Sequence, residues 1–251
     1  MIYGLYLSAT GIMTNSYRQD VVANNLANAE TTGFKRDIPV FRQRLMAAQE
    51  NRTPGSWSDP SLDGLGGGLL TESNHTDFEQ GGMEQTGSPL DVAIQGNGFF
   101  AVNEKGKTLL TRDGRLQLDR SGALILTSGQ PVLDVKGQPI TISPNATNTV
   151  INTTGQILQD GQVAAQLGVF DVPDSSKLTK LGNGLFQSPD PIAPTTNATL
   201  RSEYLESSNV DPTTELADLM DTQRQLEANA NMIHTQDSTL QLLVTNVGKI
   251  S

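Results

Sequence analysis

The stretch "VVANNLANAETTGFKR", residues 21–36, decides how the chain is read. As far as Leu26 it continues a helical pattern that starts at Ile2, with Leu5, Ala9, Ile12, Ala23 and Leu26 recurring in steps of three and four. Onto this helix it sets Asn24, Asn25 and Asn28, whose amides compete for backbone partners and suit helix interiors poorly. Two readings stand. The amides bond to neighbouring helices, and because a buried amide without its partner costs about 1–3 kcal/mol they specify register. Alternatively they end the helix near residue 28 and begin the turn to Gly33. Gly33 is expected to supply a positive φ, and Phe34 to drop into an apolar site beside the C-terminal helix. Gly4 and Gly11 weaken the helix by about 1 kcal/mol each relative to Ala, so its apolar stripe needs a partner.

The other end of the chain offers one. From Leu216 the same stepping runs through Leu219, Gln223, Leu226, Ala230, Ile233, Asp237, Leu240, Val244 and Val247, a heptad seam of the coiled-coil kind. Asp211-Pro212 fits its start, with Asp as the cap and Pro at the first helical position. This segment is acidic (Asp211, Glu215, Asp218, Asp221, Glu227, Asp237), whereas the N-terminal segment carries Arg18, Lys35, Arg36, Arg42 and Arg44. Gln223, Asn229, Asn231 and Asp237 are candidate partners for the three asparagines.

Between the helices the pattern changes. Residues 50–75, rich in Gly, Ser, Pro and Asp, read as an extended loop, with Trp57 a loop anchor or a subunit contact. Short alternating runs with turns then continue to about residue 190. "LDVAI" and "FFAV" read as a hairpin across Gln95–Gly98, and "TLLTR" and "RLQLD" as a hairpin across Asp113-Gly114. The organisation expected is α+β: helix and signature turn over 1–36, extended loop over 37–79, central β domain over 80–200 and coiled-coil helix over 201–251. The two terminal helices pair as a bundle.

Composition excludes several kinds of chemistry. A net charge of -10 without a concentrated basic face argues against nucleic acid. The absence of cysteine rules out disulfides and thiolate ligands. No run is long enough to span a bilayer, and the N-terminus lacks the basic and continuous apolar regions of a cleaved signal. Gly96-Asn97-Gly98 lacks the further glycine and the helix of a phosphate loop. His75 and His234 have no metal-ligand spacing, there is no Gly-x-Ser-x-Gly, and Asp113, Asp119 and Asp134 read as solvated turn or strand-end residues. Met13, Met220 and Met232 read as packing residues. No catalytic, metal or cofactor site is expected.

The opening stretch resembles the N-terminal signature of the bacterial flagellar axial proteins, the rod and hook subunits. "GSPLDVAIQGNGFFAV" (87–102), "LLTRDGRLQLDRSGALI" (109–125) and "YLESSNVDPTTELADLMDTQRQLEANANMI" (204–233) resemble the central and C-terminal motifs of the rod proteins, in order and at family length. "SGQPVLDVKGQPITI" (128–142) looks more like the proximal F-type, while "TTGFKRDIPVF" and "GGGLL" also suit the distal G-type; the F-type is favoured, with a distal-rod or hook subunit as the alternative. The resemblance implies a non-enzymatic subunit of the basal-body rod, stacked helically to transmit torque across the periplasm. It further implies export through the flagellar type III apparatus without a cleaved signal. Its partners would be copies of itself, other rod and hook subunits, the export apparatus and, as further candidates, the surrounding ring proteins, with no membrane insertion. The subunit-packing residues would be Leu5, Ile12, Asn24, Asn25, Leu26, Asn28, Gly33, Phe34, Leu216, Leu219, Leu226, Ile233, Leu240, Val244 and Val247. An enzymatic alternative, a periplasmic peptidoglycan hydrolase, would need paired carboxylates at a cleft, which no motif supports. A phage-tail or pilus-like tube subunit would not be expected to carry these motifs together.

Overall fold

The computed structural model describes residues 2–43, 68–144, 146, 148–195 and 198–247. Most of the 50–75 stretch, with Trp57, and Arg44 lie outside the described residues, as does the side chain of Val247. The architecture is α+β: one helix at each end and β structure between them. The contacts divide the chain into two units.

The first unit comprises residues 1–27, 37–75 and 211–251. Its core is the antiparallel packing of α1 (Ile2–Ala27) on α2 (Pro212–Val247). Asp211 starts α2 as expected: it accepts from Thr213 N at 3.1 Å and from Thr214 Oγ1 at 2.6 Å, and these hydrogen bonds hold its carboxyl below the usual range. A two-stranded ribbon, Phe41–Gln43 with Leu69–Thr71, belongs to the same unit. The Tyr17 ring meets Phe41 edge to face, and its hydroxyl donates to Asn74 at 2.9 Å.

The second unit comprises residues 28–36 and 76–210. Its largest sheet is antiparallel, in the order Thr179–Gly182, Leu185–Gln187, Lys107–Thr111, Phe99–Glu104, Val169–Asp171, Ala193–Pro194. The run "FFAV" is apolar throughout because both faces of this sheet are covered. Phe100 and Val102 pack with Val92, Leu116, Leu124 and Leu126, while Phe99 and Ala101 pack with Leu110 and Phe186 beneath Phe78.

Both expected hairpins are absent. The strand Val92–Gln95 pairs with Thr199–Ser202 and not with Phe99–Glu104. Asp113-Gly114 joins a strand of the large sheet to Leu116–Leu118, which pairs with Leu124–Leu126. Gly114 is needed for close approach: a Cβ there would lie 1.7 Å from Val92 O, whose own N–H donates to Gly114 O. Among the described residues, tight hairpins fall at Lys105-Gly106 (φ 51° and 84°), Asp160-Gly161 (φ 49° and 85°) and Asn183-Gly184 (φ 52° and 70°), pairs with the double positive φ that a two-residue turn requires. Strand structure also extends past residue 190, because Thr199–Ser202 and Tyr204–Glu206 close the unit against Val92–Gln95 and Met83–Gln85.

Candidate functional site

Two parts of the structure carry the residues singled out by the sequence. The first is the helix pair. Its packed face on α2 runs through Glu215, Leu219, Thr222, Leu226, Asn229, Ala230, Ile233, Gln236 and Leu240. Five residues of the expected seam, Leu219, Leu226, Ala230, Ile233 and Leu240, lie on this face. Leu216, Gln223 and Asp237 do not; they are exposed, and a polar column of Glu215, Thr222, Asn229 and Gln236 takes the alternate seam positions. The expected seam thus departs from the packed face only at its alternate positions, where Leu216, Gln223 and Asp237 each stand one residue past Glu215, Thr222 and Gln236. Val244 is 73% exposed although it continues the seam direction. On α1, Leu5, Ile12 and Leu26 are half-buried, and Val21 and Val22 are buried.

Asn25 joins this face. Its amide donates to Asp37 O at 2.8 Å and to Glu215 Oε2 at 3.4 Å, and its oxygen accepts from Asp37 N at 3.0 Å. The antiparallel register puts Glu215 opposite Asn25, which is why none of the four expected polar partners meets it. Asn24 is exposed. Asn28 follows the last residue of α1 and shapes the turn: Thr31 N donates to its carbonyl, and Thr31 Oγ1 to its side chain. Asn229 faces Gly11 instead, and Gln236 faces Gly4: a Cβ on either glycine would lie 2.9 Å from Asn229 Nδ2 and 2.7 Å from Gln236 Nε2, respectively. Arg18 realises one of the expected cross-helix charge pairs, 3.7 Å from Asp218.

The second part is the signature turn, which lies in the β unit. Gly33 has φ +67°, and a Cβ there would stand 2.5 Å from the Arg112 carbonyl carbon, so only glycine lets the two backbones meet. Gly33 N donates to Glu206 O at 2.8 Å. Phe34 is buried within the β unit, with Lys180 Nζ 3.7 Å above its ring and donating to Lys35 O. Lys35, expected to complement the acidic C-terminal helix, is instead buried in the β unit. Its ammonium donates to Glu206 Oε1 at 2.7 Å and to Glu79 O at 2.6 Å. Glu206 also accepts from Arg112 Nη1 at 3.1 Å and from Gly81 N at 3.1 Å. Arg112 completes the cluster by donating to Gly96 O, and its guanidinium carbon lies 5.0 Å from the Phe99 ring centre. Burial pushes Lys35 below its ordinary pKa, against the opposing pull of Glu206. No sequence signal marked Glu206 or Arg112: each is one charged residue in a strand-like run, and the pairing joins positions far apart in the chain.

Among the described residues no group of three or more His, Cys, Asp or Glu could hold a metal ion, and no helix is long and apolar enough to cross a membrane. An open cleft lined by Ser88, Leu90, Asp91, Arg115 and Gln117 does not present a free carboxylate pair. Arg115 is held by Asp113 at 3.0 Å, and Asp91 accepts from Thr86.

Three family models match the chain in order: one described as flagella basal body rod protein over residues 5–35, the flagellar hook protein FlgE/F/G D1 domain over 93–159, and the flagellar basal body rod FlgEFG protein C-terminal region over 201–246. The flagellar basal-body rod protein FlgG of Buchnera aphidicola subsp. Schizaphis graminum is 36% identical, the alignment covering 97% of this chain and 99% of that protein. The chain belongs to the flagellar basal-body rod protein family. Another relative, the rod protein FlgF of Caulobacter vibrioides, is 34% identical over 98% of both chains, and FlgG of the same organism is 33% identical over 94% of this chain and 96% of its own. Rod proteins of both kinds thus stand at comparable distance. The first model ends at Lys35 and the last begins at Arg201, so the buried Lys35–Glu206 pair joins the two rod-family signatures within the β unit.

Proposed function

We propose that the chain is a structural subunit of the bacterial flagellar basal-body rod. It packs helically with copies of itself and other axial subunits through its terminal helices, and the resulting rod carries torque across the periplasm. Delivery by the flagellar export apparatus and residence in the basal body belong to the same reading, which assigns no catalysis. The observation that carries it is the apolar surface left on the helix pair: Leu7 39%, Met13 71%, Leu216 48%, Met220 49%, Leu243 43% and Val244 73% exposed. Fully burying such a side chain contributes about 1.5–3 kcal/mol. Covering the exposed fractions of these six gains several kcal/mol, much of it offset by the cost of association. Single contacts are therefore weak, and an array in which each subunit meets many neighbours is strong. A heterologous contact that does not close into a ring builds such an array.

The test is incorporation into basal bodies, viewed by electron microscopy. Chains carrying Met13→Glu or Val244→Glu, or lacking residues 1–30, are expected to keep the β unit folded by amide exchange and yet to be absent from the rod. Incorporation at the unaltered level would overturn the reading. A wall-digestion assay on the purified chain separates it from the hydrolase alternative, which requires activity there.

A further inference from the structure

We infer that Gly4 and Gly11 are not defects of α1 but notches that receive Gln236 and Asn229, and that these two rungs fix the register in which the terminal helices pair. The inference rests on the first unit alone and is independent of the rod reading.

The geometry is periodic. One heptad along α1, from Gly4 to Gly11, is matched by one heptad back along α2, from Gln236 to Asn229. Two further heptads lead on α1 to Asn25 and on α2 to Glu215, which meet at 3.4 Å. The heptad between them reaches Arg18 and Thr222; Arg18 lies 3.7 Å from Asp218, and Thr222 Oγ1 donates to Asp218 O at 2.7 Å. The column thus faces glycine with a carboxamide at one end and an amide with a carboxylate at the other.

The apolar positions cannot supply this information. Leu219, Leu226, Ile233 and Leu240 are branched residues of similar size, one heptad apart, so a one-heptad slip replaces each by an equivalent. The polar column does discriminate. A slip that carries Gln236 over Gly11 drives Asn229 against Arg18, a long side chain where a notch is needed. The opposite slip carries Asn229 over Gly4, moves Glu215 away from Asn25 and leaves that buried amide short of an acceptor. Among the described residues, the buried Gln236 Oε1 makes no hydrogen bond and no side-chain bond joins Asn229 to α1, so both amides meet the glycines by fit and not by pairing. Fit is what a notch enforces. Two glycines one heptad apart weaken an isolated helix, and the seated amides account for their positions.

A thermodynamic cycle on the full chain tests this. In an ordinary helix Gly→Ala strengthens folding about fivefold. The notch predicts that Gly11→Ala alone gives less than this gain in native-state amide protection of α1 and α2, because the new methyl must displace the Asn229 amide. In the Asn229→Ala background the same substitution should give the full gain. The Gly4→Ala and Gln236→Ala cycle should behave alike. Unchanged protection of the β unit serves as the internal reference that each variant is folded. An equal fivefold gain in both backgrounds, at both rungs, would overturn the inference.

Discussion

Glu206→Gln is the most informative single change in the β unit. It preserves shape and one acceptor oxygen but removes the carboxylate that pairs with both Lys35 and Arg112, whose side chains are 1% and 5% exposed. Removing one member of a buried ion cluster costs about 3–5 kcal/mol, because the partners stay buried and uncompensated. For a chain of this size each kcal/mol lowers the midpoint by about 2–4 °C, so a fall of about 6–20 °C is expected. Lys35→Met is the control. It loses the bonds to Glu206 and Glu79 but also removes a buried ammonium, and the Arg112–Glu206 pair and the Gly81 N–H bond remain. Its expected cost is about 1 kcal/mol. Urea titration followed by far-UV circular dichroism, with amide exchange over residues 28–36 to locate the loss, measures both. A Glu206→Gln cost under about 1 kcal/mol, or one smaller than that of Lys35→Met, would refute the reasoning. Lys35 adds a sign that can be checked. Its folded pKa lies below the ordinary 10.5 through burial. Between the lowered value and 10.5 the unfolded chain binds more protons than the folded one, so this residue makes stability rise with pH across that window. Below the lowered value both states are protonated and its burial cost is present in full. Lys35→Met should abolish that alkaline slope.

Gly33→Ala forces a methyl to within 2.5 Å of the Arg112 backbone at a positive φ and should cost more than about 2 kcal/mol in the same titration. Asn25→Ala leaves the Asp37 N–H without its side-chain acceptor, at about 1–3 kcal/mol. Its signature is faster exchange of that one amide and of the first turn of α2.

The legible features were those written in local pattern. The two helices, the cap at Asp211 and the positive φ of Gly33 follow from periodicity and from backbone sterics within a few residues. What the pattern concealed was decided at long range. Asp113-Gly114 has the composition of a hairpin turn, yet the strands it joins find better partners elsewhere, and its glycine is required by the approach of Val92. Lys35 reads as a complement to the acidic helix because nothing near it in sequence announces Glu206. Gly4 and Gly11 counted only as helix breakers until the residues opposite them were known. The α2 stripe shows in its leucines, whereas four of the nine residues named on the packed face are Glu215, Thr222, Asn229 and Gln236.

The spacing of the buried charges along the chain bears on how the protein comes into being. Lys35, Arg112 and Glu206 stand near the start, middle and end of the β unit's sequence. A polypeptide that emerges N-terminus first, from any pore, presents the lysine long before its counter-ion. Until residue 206 is out, the signature segment has no partner to repay its dehydration and stays in water. The buried charge cluster therefore cannot close until the last strand of the unit has arrived.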